Sequence, residues 1–147
     1  MQEAKVVRKS GDAKFEAVHE SERDWENLRF DKFHSKMLFH PRPERPTEPN
    51  AGLVRFEPGA GYPMHRHEFA QVWYILEGEF IIGGQKYGPG TMVFHPDPHY
   101  EDAMHTDTGG LWLLVQYPGP ETRSPAIYDN RFNVEVRKPL SEERLDI

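Results

Sequence analysis

A chain of 147 residues with a hydrophobic fraction of 37% is the size of one domain, which typically runs to roughly 100–200 residues. Its formal net charge of -6 leaves no cationic excess with which to neutralise a nucleic-acid backbone. The absence of cysteine excludes disulfides, thiolate ligands and a cysteine nucleophile, so imidazole and oxygen donors are what remain for a metal.

The start, Met1 to Lys9, has no apolar run of the kind a secretion signal needs, and no stretch approaches the ~20 apolar residues of a membrane span. A cytoplasmic protein with no membrane partner is the expectation. Residues 1 to about 30 form a charged arm of weak periodicity, in which Ser21, Asp24, Trp25 and Leu28 give a poor signal for one capped helical turn. From Phe30 the texture changes. Phe33, Ser35, Met37 and Phe39 alternate with His34, Lys36, Leu38 and His40, a period of two that predicts a strand. Pro41 to Asn50 carries four prolines, which fix φ and remove ladder donors, so it reads as a loop.

Short β-like segments then recur at Leu53–Glu57, Gln71–Leu76, Phe80–Ile82, Thr91–Phe94 and Leu111–Tyr117. The punctuation between them is Pro58-Gly59, Glu77-Gly78, Gly83-Gly84, Pro89-Gly90 and Gly109-Gly110, spaced as turns are in an all-β sandwich or barrel. We therefore expect one domain over 1–147, with an arm over 1–30, a barrel over 30–117 and a tail over 118–147. In the tail, Ile127-Tyr128 and Phe132 to Val136 could add an edge strand or drape over the barrel or a partner subunit.

His65-Arg66-His67 puts two imidazoles on one face of an extended segment, about 6–7 Å apart at Cα, close enough to converge on one ion. Gln71 is an even step beyond His67 and faces the same side if the strand is unbroken. By the same parity Phe69, Trp73 and Ile75 should line the interior, with Phe94 and Trp112 as further lining candidates. An isolated His-x-His pair is common in loops, so the context decides.

Gly59, five residues, His65-x-His67, three residues, Gln71, six residues, Gly78 resembles the first motif of the cupin superfamily in every spacing, with Gln71 where most members carry Glu. Gly88-Pro89-Gly90 through Pro98-His99 resembles the second, although Ala103 stands where that motif usually ends in Asn. The resemblance covers residues 51 to about 117. It implies a jelly-roll barrel of two antiparallel sheets, often dimeric, holding a divalent metal on His65, His67, His99 and Gln71. His95 would stand behind the ligands, and His19, His34, His40 and His105 would be surface or packing residues, with His40 or His105 able to reach the cavity.

Three imidazoles and an amide would leave the 2+ charge of the ion uncompensated, so such a site should prefer an anionic or enolisable small molecule. A nitrogen-rich site with open positions suits Fe(II), with Mn, Ni, Co or Zn as alternatives. The phrases Phe56-Glu57-Pro58-Gly59-Ala60 and Gly88-Pro89-Gly90-Thr91 are similar to small cupins of the acetylacetone dioxygenase and anti-sigma-factor types. The leading expectation is thus an Fe(II) dioxygenase in which Gln71 and His99 serve the reaction. The alternatives are a manganese-dependent hydroxynitrile lyase-like enzyme, or another Lewis-acid enzyme without redox change, and a sensor that binds without turnover.

Overall fold

The computed structural model describes residues 14–27 and 32–126. Leu28 and the apolar tail positions from Ile127 onward lie outside the described residues. The helical turn expected near Ser21 is a single 3-10 turn, Glu20–Glu22, but its cap is His19, whose Nδ1 accepts from the Ser21 amide at 3.1 Å. Everything else regular among the described residues is strand. In chain order the strands are β1 (Glu26–Asn27), β2 (Phe33–Phe39), β3 (Asn50–Phe56), β4 (Gly61–Tyr62), β5 (His65–His67) and β6 (Ala70–Gly78). They continue with β7 (Phe80–Ile82), β8 (Gln85–Tyr87), β9 (Met92–His95), β10 (His99–Glu101), β11 (Met104–His105) and β12 (Gly110–Tyr117).

All pairings among the described residues are antiparallel. A six-stranded sheet runs β1-β2-β3-β12-β6-β9, a four-stranded sheet runs β4-β11-β7-β8, and β5 with β10 forms a two-stranded ribbon. The architecture is the all-β cupin type expected from the two motifs. The Pro-rich segment is a loop, turned by the Arg45 amide bonding to the Arg42 carbonyl at 2.9 Å.

Alternation assigns the faces. On β6, Gln71, Trp73 and Ile75 point inward and are buried, and on β12 Trp112, Leu114 and Gln116 do the same. Trp73 and Trp112 stack with centroids 4.0 Å apart, and Phe56 and Phe80 close on Trp112 at 4.5 and 4.9 Å. These bulky rings fill the interior from the six-stranded sheet toward β7. Apolar packing thus occupies one end of the hollow and leaves the other to polar side chains.

Both flanks of the barrel are tied to it. Glu26 of the arm pairs with Ser35 of β2, and the Trp25 ring lies under Lys36 and Arg55 at 4.8 and 5.0 Å. Beyond β12, Thr122 donates from its amide to Asp97 at 2.8 Å and from its hydroxyl at 2.6 Å, fastening the start of the tail beside the loop that leads into β10.

Candidate metal centre

The ribbon brings the site together. Cross-strand register sets His99 opposite His67 and Glu101 opposite His65, and alternation turns all four side chains to one face. Each residue is buried, with His65 2%, His67 6%, His99 6% and Glu101 4% exposed. Glu101 Oε2 is the hub, 3.0 Å from His65 Nε2, 3.1 Å from His67 Nε2 and 4.0 Å from His99 Nε2. The ligand atoms of His65, His67 and Glu101 lie within 4.8 Å of one another.

Hydrogen bonds fix which ring nitrogen carries the proton. His65 Nδ1 is 2.7 Å from the Pro63 carbonyl, and His99 Nδ1 is 2.8 Å from that of Pro96 and 3.0 Å from that of Phe69. A carbonyl only accepts, so both Nδ1 atoms donate and both Nε2 lone pairs face Glu101. His99 Nε2 is buried with no hydrogen-bond partner. Lone pairs converging on a carboxylate oxygen repel one another unless a cation stands among them. Imidazoles whose outer nitrogen is held by a carbonyl, together with one carboxylate, are the donor set a divalent ion takes. The residues present fit that group.

The protonation states agree. Burial pushes His67 down to about 4, so its ring is neutral at pH 7. Burial by itself would raise Glu101, and hydrogen bonds donated by the imidazoles would hold its carboxyl well below the usual range; where the Nε2 lone pairs face it instead, a cation would supply that stabilisation. Tyr62 donates its hydroxyl to Glu101 Oε1 at 2.7 Å, and its own ionisation is pushed up, first by burial and then by that carboxylate.

Gln71 is placed otherwise than expected. The strand carrying His67 does not run on to it: Glu68 and Phe69 bend, β5 joins the ribbon and β6 joins the six-stranded sheet. Gln71 Nε2 donates to Glu101 Oε2 at 3.0 Å, while its Oε1 accepts from Gln116 Nε2 at 3.1 Å. Its oxygen is therefore engaged away from the imidazoles, and the oxygen donor at the hub is Glu101. The signal for Glu101 was present: His99-Tyr100-Glu101 repeats the alternation of His65-Arg66-His67.

The lining divides similarly. Phe69 is buried and stacks on His67 at 4.6 Å, and Trp73, Ile75 and Trp112 are core. Phe94 is not in the lining: it is 61% exposed, because β9 turns Val93 and His95 inward and Met92 and Phe94 outward. His95 stands behind the ligands, its ring 4.6 Å from that of His99 and 4.7 Å from Trp73. His34 pairs with Glu57 and His105 with Asp107, both outside the site, and His40 bonds Asn50.

Comparison with known proteins gives a family and a range of relatives. The family model described as the ChrR cupin-like domain matches residues 13–118. Dimethylsulfoniopropionate lyase DddQ of Ruegeria pomeroyi is 33% identical over 82 residues, 52% of this chain and 40% of the lyase, so the match spans less than half of that relative's length. Its crystal structure superposes with a TM-score of 0.51 at 24% identity, covering 69% of this chain and 59% of the lyase. An RmlC-like cupin from Shewanella frigidimarina gives a TM-score of 0.58 at 26% identity, covering 71% of this chain and 91% of the other. An acetylacetone dioxygenase from Acinetobacter johnsonii gives 0.58 at 10% identity, over 84% and 89% of the two chains, a likeness of fold alone.

Proposed function

This chain belongs to the ChrR cupin-like domain family, and from that premise we propose that it is a metal-dependent enzyme of the non-redox kind, cleaving a small carboxylate-bearing molecule by elimination. The observation that carries the reading is the convergence of three buried imidazoles on the buried Glu101 carboxylate. The ion, when bound by His65, His67, His99 and Glu101, supplies Lewis-acid polarisation of a substrate oxygen. Glu101 offsets one unit of its charge, so the balance favours a monoanion. Tyr62 holds Oε1 of Glu101 in place, and Phe69, packed on His67, keeps water from that side.

The expectation of an anionic, enolisable substrate rested on four neutral donors, and Glu101 in the set would offset part of that charge. The dioxygenase expectation rested on resemblance, and Glu101 does not bear on it. A carboxylate in the set still admits Fe(II), as it does Mn, Ni, Co or Zn, so a dioxygenase acting on an enolisable dicarbonyl is the second reading. Support for the lyase reading comes from the 33% identity to a protein whose name gives a sulfonio-propionate as its substrate. An elimination on such a substrate would move a proton from the carbon next to the carboxylate to a base, form a carbon–carbon double bond in place of the carbon–sulfur bond and release a neutral sulfide with that bonding pair, so it would consume no oxidant.

Metal analysis of protein purified without a histidine tag, followed by assay of single-metal preparations with dimethylsulfoniopropionate and with diketones, tests the proposal. Turnover that persists when oxygen is removed is the expected result. Oxygen-dependent turnover of a diketone would transfer the site to the dioxygenase reading, and metal binding without turnover of either substrate would make it a sensor. A homodimer belongs to the same proposal, through the outer face of the six-stranded sheet where Met92, Phe94 and Leu113 are exposed. Sedimentation equilibrium of the wild type and of Phe94→Glu checks it.

A further inference from the structure

One inward row of the six-stranded sheet is polar where the rows beside it are not. Register aligns Asn50 with Gln116, Gln116 with Gln71, and Gln71 with His95, one residue from each of β3, β12, β6 and β9. The next inward row is Gly52, Leu114, Trp73 and Val93, and the one after it begins Val54, Trp112 and Ile75. The three amides are buried, with 3%, 2% and 1% exposure for Asn50, Gln116 and Gln71. Three buried amides in a line are costly unless every group is matched.

They are matched head to tail. Asn50 Nδ2 donates to Gln116 Oε1 at 2.9 Å, Gln116 Nε2 to Gln71 Oε1 at 3.1 Å, and Gln71 Nε2 to Glu101 Oε2 at 3.0 Å. At the outer end Asn50 Oδ1 lies 2.9 Å from His40 Nδ1, and at the inner end the second hydrogen of Gln71 Nε2 faces His95 Nδ1 at 3.4 Å. The polarity follows from one end. An ionised Glu101 only accepts, beside imidazoles or beside a cation, so Gln71 must offer it nitrogen and turn its oxygen to Gln116. Gln116 must then offer nitrogen in turn, and so must Asn50. His40 is left facing an oxygen, so its Nδ1 carries the proton, and His95 faces a donor, so its Nδ1 carries none.

We propose that Asn50 and Gln116 are positioning residues for the metal centre: they hold Gln71 as an N–H donor to Glu101, keeping its oxygen out of the ligand set and aiming the carboxylate at the three imidazoles. The role toward an ion rests on the site reading above; the order of the row does not. A surface cavity of about 390 Å³, lined by His40 with Arg42, Glu16 and Glu48, lies at the outer end, so the row runs from solvent to the hub.

Asn50→Asp tests this with an isosteric change three hydrogen bonds from the hub. Aspartate at 50 only accepts, so Gln116 must turn its nitrogen outward, Gln71 follows, and an amide oxygen is driven against Glu101. Nitrogen-15 NMR of the metal-free protein should show His40 protonated at Nδ1 and His95 at Nε2 in the wild type, with His95 switching to Nδ1–H in Asn50→Asp. Co(II) titration should show affinity falling roughly tenfold or more in the variant, the scale of lost support behind a metal ligand, with a changed visible spectrum. Asn50→Leu, which ends the row without reversing it, should leave the His95 tautomer as in the wild type. Wild-type His95 found protonated at Nδ1, or Asn50→Asp with unchanged tautomer and Co(II) affinity, would overturn the proposal. If Asn50→Asp does not fold, the wild-type tautomers decide. Should the wild type bind no Co(II), the site reading fails, while the tautomers still report on the row.

Discussion

At Glu101 the two carboxylate oxygens have separate duties, Oε1 accepting from Tyr62 at 2.7 Å and Oε2 meeting His65 and His67 at 3.0 and 3.1 Å. Glu101→Gln keeps the shape and removes the charge, so metal retention measured by elemental analysis should fall by tenfold or more, on the order expected for a lost ligand or its support. His65→Ala or His67→Ala should abolish retention, since each removes a principal donor; stoichiometric metal in either would contradict the assignment. Gln71→Glu now carries a different expectation from the one its sequence position invites. A second carboxylate 3.0 Å from Glu101 Oε2 would force one of the two to take a proton, so the metal-free variant should be destabilised in urea, most of all at high pH. At this scale the sequence showed the histidine pair through its alternation. Glu101 was not legible because it falls between the motif histidine His99 and the motif's last position, Ala103, and the amide-first placement of Gln71 was not legible because nothing in its neighbours announced the bend at Glu68 and Phe69.

Strands long enough to show alternation were legible. β2, β3, β6 and β12, of seven to nine residues each, were found within three residues at either end. β4, β8, β10 and β11 have two or three residues, too few for a period of two to stand out, and exist because their neighbours complete them. The glycine punctuation was read correctly for a reason the structure supplies. Gly78 has φ +87° and sits so near β12 that a Cβ would lie 2.0 Å from the Gly109 carbonyl. Gly78→Ala should cost about 1–3 kcal/mol for the conformation alone, and more from the clash, measured as a lower urea midpoint with an unchanged slope. If the midpoint is unmoved, the turn is not as described.

For the whole molecule the ion and folding are linked. A divalent cation that binds the folded state alone adds about 2.7 kcal/mol at 100 times its dissociation constant, so melting temperature should rise with metal concentration and a chelator should reverse it. Acid acts in the opposite sense through His67. Its value falls from 6.5 to about 4 in the folded state, so unfolding takes up a proton that the native ring refuses. Its contribution to stability is complete above pH 6.5 and is lost as pH falls toward about 4. A urea series on metal-free protein across that interval should show the loss, and His67→Gln should flatten it.

The ribbon of β5 and β10 carries His65, His67, His99 and Glu101 on six residues and, among the described residues, pairs with no third strand. A cation there would act as a clasp, joining two short lengths of chain that otherwise share one small ladder. Without it the clasp is open, and amide exchange should be fastest at these six positions while β3, β12 and β6 stay closed. Uptake of metal would then be visible as slowed exchange confined to the ribbon, a local signature that needs no substrate to be known.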